Sequence, residues 1–249
     1  MSTHAPDSPV ILPLGLTALI VRFGLKAGPD LTAAVKAFVA DLERDPIAGV
    51  TEIACSLTTV MVSFDGGSSV RDKTTKALQE RLSRRHWTSV ASPDPMRRWT
   101  IPVAFGEAFG PDLTKAARAA CLSEKDAITD LCSQDVDVLT LGFAPGQAYL
   151  GFLKDHWNIP RMEAINPSVP AGALILAICQ LIVFTNENPT GWHHIGQSGF
   201  LPFSLERTKP ILLRAGDALR FTPVPSSEMT GILADNPDGL GQAKLEVLR

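Results

Sequence analysis

Cysteine is scarce in these 249 residues and spaced without pattern: Cys55, Cys121, Cys132 and Cys179 lie 66, 11 and 47 positions apart. Neither a zinc knuckle nor a redox CxxC can be drawn from them, and a chain this long buries enough core to stand without disulfides. A reducing compartment suits such thiols, so a cytoplasmic location is expected. Charge is also modest. With 20% charged residues and a net charge of -3 there is no basic field to hold a phosphate backbone, which argues against nucleic acid as a partner. No apolar run is long enough for a bilayer. The first, Val10 to Val21, is broken by Pro13 and Gly15 and follows Asp7, where an export signal would carry Lys or Arg. The second, Ala171 to Phe184, is 14 residues long, contains Gln180 and reads as buried core, so no membrane association is expected. Stock catalytic signatures are missing as well: there is no P-loop, no GxSxG elbow and no HExxH.

What is present reads as two patterns in succession. After a loose start, MSTHAPDSP, the segment LTALIVRF has the apolar, branched character of a first strand. Leu31, Ala34, Val35, Phe38, Val39 and Leu42 then fall at helical spacing and predict a helix with one apolar stripe. TEIACSLTTVMVSFD supplies one long or two short strands, and Asp65-Gly66-Gly67 a turn. Ser69 is placed to cap a second helix that buries Val70, Ala77, Leu78 and Leu82 and turns its Lys and Arg residues to water. The order is β-α-β-β-α. Pro93 and Pro95 in a polar stretch mark a boundary, giving a small α/β domain over residues 10–95.

From there WTIPVAF predicts a strand, GPDLTKAARAACL a helix with Pro111 in its first turn, and Ser123 the cap of another helix. DVLTLGF, GALILAICQLIVFT and ILLRAGDALRFTPV follow, short apolar runs punctuated by Gly and Pro, which is the rhythm of a β-barrel or sandwich. Arg214-Ala215-Gly216-Asp217 reads as a hairpin connection. This second domain is expected over residues 96–226, with residues 227–249 as a C-terminal surface tail.

Candidate chemistry clusters in four places. GFAPGQAYLGF, residues 142–152, surrounds the sole tyrosine, Tyr149, with three glycines and Pro145, a density that lets backbone N–H groups approach a ligand. IPRMEAINPSVPAG, residues 159–172, sets Arg161 among stiffening prolines, where a guanidinium can be aimed at an anion. Gln180 interrupts an apolar run, and a buried amide must find partners. PTGWHHIGQSG, residues 189–199, places Trp192, His193 and His194 between glycines. Strand alternation sends the two histidines to opposite faces, so either could handle a proton but the pair cannot share a metal comfortably. The other histidines, His4, His86 and His156, offer no ligand spacing, and no structural metal is expected.

In order and spacing, GPDL at 110–113, GFAPGQAYLG at 142–151, PR at 160–161, VPAG at 169–172, GWHHIG at 191–196 and ILLRAGDALRF at 211–221 resemble the family of 5-oxoprolinase B-subunits and allophanate hydrolase subunit 1. That group includes sporulation kinase inhibitors and half of the carboxyltransferase region of urea carboxylases. The resemblance implies an α+β protein with a small α/β N-terminal domain followed by a cyclophilin-like β-barrel domain. It also implies a C-type partner, similar to allophanate hydrolase subunit 2, and a small amide or lactam substrate activated with ATP and Mg2+. Carried onto this sequence, it nominates His193, Arg161 and Gln180 as catalytic, and Pro145, Gly146, Tyr149, Pro170, Gly172, Trp192 and Gly196 as substrate-binding. An allophanate hydrolase or urea carboxylase-like subunit, or a histidine kinase inhibitor, is the alternative. The sequence departs from the family at several positions. Gln147 stands where Phe is usual, Asn166 near a usual Arg, Ile178-Cys179 and Leu181-Ile182 in place of Gly-Gly and Thr-Gly, and Gln197-Ser198 in place of Arg-Thr. Fewer glycines and arginines narrow backbone approach and remove anion-binding charge.

Overall fold

The computed structural model describes residues 8–248, so residues 1–7 of the expected loose start, and Arg249 of the expected tail, lie outside it. Contacts divide the chain into two units, one ending at Asp94 and the other beginning at Pro95.

In the first unit β1 (Val10–Leu14), β2 (Ala18–Arg22), α1 (Pro29–Arg44), β3 (Val50–Cys55), β4 (Thr59–Phe64) and α2 (Ser68–Ser83) follow one another, and the sheet runs β1-β2-β4-β3 with antiparallel neighbours. The expected β-α-β-β-α order missed β1. Its Pro13 cannot donate to a ladder, but β1 is an edge strand, where the missing donor is tolerated, and Gly15 at φ +60 turns the chain back onto β2. Period-2 residues Leu19, Val21, Val60, Val62 and Phe64 meet the α1 stripe of Ala34, Val35, Phe38 and Leu42. Phe38 lies edge-on to Phe23 at 5.4 Å and to Trp87 at 4.8 Å. Two readings of α2 need correction. The helix starts at Ser68 with Gly67 at its N-cap and no side-chain cap, and Arg81 is buried instead of facing water. Its guanidinium bonds Asp41 and Asp45, which makes burial of the charge tolerable.

The second unit contains β5 (Arg97–Phe105), α3 (Leu113–Ala119), α4 (Glu124–Cys132), β6 (Val136–Leu141), β7 (Ala148–Gly151), β8 (Asn166–Val169), β9 (Ala173–Ala177), β10 (Gln180–Val183), β11 (Asn188–Thr190), β12 (His193–Gln197), β13 (Ala218–Pro223), α5 (Ser226–Ala234) and β14 (Lys244–Val247). Strands β12-β9-β10-β7-β6-β13-β5 are neighbours in that order, and β12 returns to β5 through Gly196↔Phe105 and Gln197↔Ala104. The α+β architecture with a closed barrel is therefore as the sequence suggested. Closure depends on Gly196, since a Cβ there would stand 2.7 Å from Val103 Cγ1. Inward residues include Ile101, Val103, Val138, Leu150, Leu174, Leu176, Leu181, Ile195 and Phe221.

Ser123 caps α4, its Oγ accepting from Asp126 N at 3.1 Å. Pro111, expected inside the first turn of α3, precedes the Asp112 N-cap. The apolar run at 173–183 is two strands, β9 and β10, joined at Ile178-Cys179, both at positive φ. Arg214–Asp217 does turn, with Asp217 N donating to Arg214 O at 3.1 Å, but it joins no hairpin. The following strand β13 pairs parallel to β5 and antiparallel to β6, while Ile211 makes only an isolated bridge to Phe203. The buried Asp217 carboxylate, paired with Arg97 of β5, ties the turn to that strand. Within the expected tail, the described residues 227–248 do not form a loose surface segment. Met229 and Ile232 of α5 are buried against Ala104, and β14 pairs with β5 from Lys244↔Thr100 to Val247↔Arg97. No helix among the described residues is long and apolar enough to cross a membrane.

Candidate functional site

Alternation along the barrel strands gives this site its floor. Leu150, Leu181, Leu174 and Leu176 point into the barrel, so their neighbours Tyr149, Ile182 and Ile175 point outward. Register places Tyr149 opposite Ile182 and Ile182 opposite Ile175, a row across three strands. Above it lies a cavity of about 390 Å³. Phe143 and Gln147 from the glycine-rich loop form one wall, Arg161 and Ile165 from the proline-rich loop another, and Pro189 to Trp192 a third. Trp192 lies edge-on to Tyr149 at 6.4 Å, and the Arg161 guanidinium sits 5.7 Å from the Trp192 ring centre, within cation–π range.

Among the described residues Arg161 is the sole charged one lining the cavity. Apart from Gln147 and Thr190 the rest of the lining is apolar or aromatic, and such a wall with one cation suits a small, flat molecule bearing one negative group. Tyr149, Arg161 and Trp192 are thus brought together. The other nominated residues do not line this cavity. Pro145 and Gly146 shape the loop that leads to Gln147: Gly146 is at φ +70, and a Cβ there would press on Phe203 Cβ at 3.0 Å. Pro170 is exposed, and Gly172 packs so closely on Ser198 that its φ of +78 and its missing side chain are both used by the fold. Gly196 serves barrel closure. Gln180 lies at the far end of the hairpin opposite Gly151, buried, with its Nε2 unpartnered.

His193 pairs in register with Leu176 of the barrel core, and its Nε2 lies 3.1 Å from the carbonyl oxygen of Pro160. His194 pairs with Ile175 of the outer cluster, as strand alternation required. Burial holds the His194 pKa below the usual histidine range against the raising influence of the Asp112 carboxylate and a hydrogen bond to the Gly196 backbone.

The family profile described as carboxyltransferase domain, subdomain C and D, matches residues 9–213. The B-subunit of 5-oxoprolinase from Bacillus subtilis (strain 168) is 31% identical over 227 residues, which is 86% of this chain and 92% of that protein. The chain belongs to the 5-oxoprolinase B-subunit family. The protein of the same name from Escherichia coli O157:H7 is 39% identical over 145 residues, 58% of this chain and 66% of that one. Among solved structures, a conserved uncharacterized protein from Pyrococcus horikoshii matches with TM-score 0.51 and 25% identity over 88% of this chain and 100% of its own. The K. lactis urea amidolyase matches with TM-score 0.66 at 18% identity, over 99% of this chain but only 17% of that one, a likeness of fold.

Two positions where the sequence departs from the family pattern act within the fold. Gln197 donates to Ala171 O at 2.7 Å and Ser198 donates to Gly172 O at 2.8 Å, so this pair fastens the 170–172 turn to the end of β12. Sequence reasoning did not nominate Gln147 or the Ile175, Ile182 and Phe184 floor. The signal was available for Gln147, which stands two residues before Tyr149 and so shares its face.

Proposed function

We propose that this chain acts as the B-type component of an ATP-consuming 5-oxoprolinase-type hydrolase, working in the cytoplasm with a C-type partner on a small lactam or amide. The observation that carries the reading is Arg161 held over Trp192 at the edge of a cavity of about 390 Å³ with an apolar floor. A five-membered lactam carboxylate suits that arrangement. Its flat ring lies against the aromatic wall of Trp192 and Tyr149, and its carboxylate takes the Arg161 fork. The names and identities of the relatives point the same way.

A partner is part of the proposal on physical grounds too. Phe143 and Ile165 line the cavity yet are 82% and 68% exposed, and a covering protein would remove them and the ligand from water. ATP and Mg2+ do not fit this chain's own residues. Among the described residues no three His, Cys, Asp or Glu side chains gather in a metal-holding group, and one arginine in the cavity is too little for a triphosphate. The nucleotide site therefore falls to the assembly, and this chain's part is to bind and orient the small substrate.

The test is co-expression with a C-type partner and measurement of ATP consumption on addition of 5-oxoproline. The pair should consume ATP only with 5-oxoproline present, and the chain alone should be inactive. Turnover by the chain unaided, or no 5-oxoproline-dependent consumption by the pair, would overturn the reading.

A further inference from the structure

We infer that Gln147 is a specificity-determining residue of the cavity, its side-chain amide oxygen selecting ligands that carry an N–H or O–H donor in addition to their anionic group. The residue is 2% exposed, lines the cavity, and its Oε1 is buried without a hydrogen-bond partner. A buried unpaired carbonyl is unfavourable unless something supplies a donor, and no group among the described residues does.

The backbone that carries this side chain is held in place. Gly142 N donates to Gln147 O at 3.0 Å and Gln147 N donates to Ala144 O at 3.1 Å, which closes the glycine-rich loop on itself. The next residue, Ala148, points into the barrel core, so Gln147 shares the outward face of Tyr149. The acceptor on this wall and the cation of Arg161 on the other come from different loops. A ligand that satisfies both is therefore read at two points, and one lacking the donor leaves the buried oxygen unpaired. An apolar side chain would build the same wall without that requirement.

This rests on the cavity being the ligand site of the proposed function, but on neither the partner nor ATP. The probes are 5-oxoproline and its ring lactone counterpart, in which oxygen replaces the N–H, titrated calorimetrically into the full chain. The wild type should prefer the lactam by about tenfold or more, and Gln147→Met should bring the two within about twofold of each other. Gln147→Met should melt no lower than the wild type, because it removes a buried polar group that the fold leaves unsatisfied. Equal binding of the two probes by the wild type, binding of neither, or a preference that survives in Gln147→Met would overturn the inference. A variant that loses both probes equally while melting lower would assign Gln147 a packing role only, and overturns it too. A chain that discriminates as expected, in a pair that consumes no ATP, sinks the proposed function and leaves this inference standing.

Discussion

His193 Nε2 donates to the carbonyl oxygen of Pro160 at 3.1 Å, and Pro160 is the residue immediately before Arg161. A carbonyl can only accept, so the hydrogen sits on Nε2. On the other side of Arg161, Met162 N donates to Gly191 O at 2.6 Å. The neighbours of Arg161 are thus pinned to the neighbours of Trp192, Gly191 and His193. The guanidinium stands over the indole because two hydrogen bonds fix one short segment against another. His193 belongs to the site through this contact, as a positioning residue.

If that is its role, His193 and Arg161 should not act independently on ligand binding. Arg161→Ala should weaken 5-oxoproline binding by about tenfold to a hundredfold, the scale of a charge-assisted hydrogen bond. His193→Ala should weaken it by about tenfold, and the double variant should be little worse than Arg161→Ala alone. Titration calorimetry on the four proteins closes the cycle. Additive losses would mean that His193 meets the ligand itself.

The C-terminal segment should be indispensable to the barrel. α5 buries Met229 and Ile232, β14 covers part of one edge of β5, and Asn236 Nδ2 donates to Gly199 O at 2.6 Å. A chain ending at Pro225 would expose that edge and those apolar side chains. It should be recovered mainly as aggregate, or melt about 10 °C or more below the full chain. Soluble recovery with an unchanged melting temperature would return residues 226–249 to the status of a tail.

Periodicity was enough to expose α1, because one face of it is apolar at i, i+3, i+4 and i+7 and tertiary packing agreed with that stripe. Apolar runs were also enough to place β5, β6 and β13 and the stretch that holds β9 and β10, though not β7, and not to close the barrel. Closure lies in Gly196, whose role depends on Val103 across the sheet and so on contacts far apart in sequence. Arg81 was misread for a related reason: spacing puts it on a polar face, but Asp41 and Asp45 of α1 supply partners that make burial tolerable. Within the site, Tyr149, Arg161 and Trp192 were legible as a glycine-flanked aromatic, a proline-flanked cation and a second aromatic. The adjacent His193-His194 pair drew attention to proton chemistry, whereas the structure gives His193 a backbone partner and places neither ring on the cavity.

Arg81 should contribute strongly to the stability of the unit ending at Asp94. Its Nη1 donates to Asp41 O at 3.0 Å and to Asp41 Oδ2 at 3.1 Å, and its Nη2 pairs with Asp45 Oδ2 at 2.8 Å, so it satisfies carboxylates and a backbone carbonyl at the C-terminal end of α1. Arg81→Met keeps the apolar stem but removes the guanidinium that joins the two aspartates, leaving the Asp41 carboxylate to Arg44 and Arg85 and the exposed Asp45 carboxylate to water. It should lower that unit's stability by about 2–4 kcal/mol in denaturant unfolding, with Arg81→Lys falling between because a single ammonium cannot span both aspartates. A loss under about 0.5 kcal/mol would mean that water replaces the guanidinium without cost.

The last expectation concerns pH and His194. Burial lowers its pKa in the folded state, with Asp112 and a hydrogen bond to the Gly196 backbone opposing the shift, while in the unfolded chain the ring titrates near the ordinary value of about 6.5. The unfolded state therefore binds the proton more readily. Stability from the neutral buried ring is fully present above about pH 6.5 and is lost as pH falls from there toward the lower folded value. His194→Gln removes this titration and leaves the other histidines in place. Its stability difference from the wild type, read by denaturant unfolding between about pH 7.5 and 5, should shift in the variant's favour as pH falls, since only the wild type must protonate or protect a buried imidazole. A constant offset would fix the variant's cost as packing alone. An offset that moved the other way would mean that the Asp112 carboxylate, whose Oδ2 already accepts the His194 backbone N–H at 2.9 Å, outweighs burial and holds the ring charged.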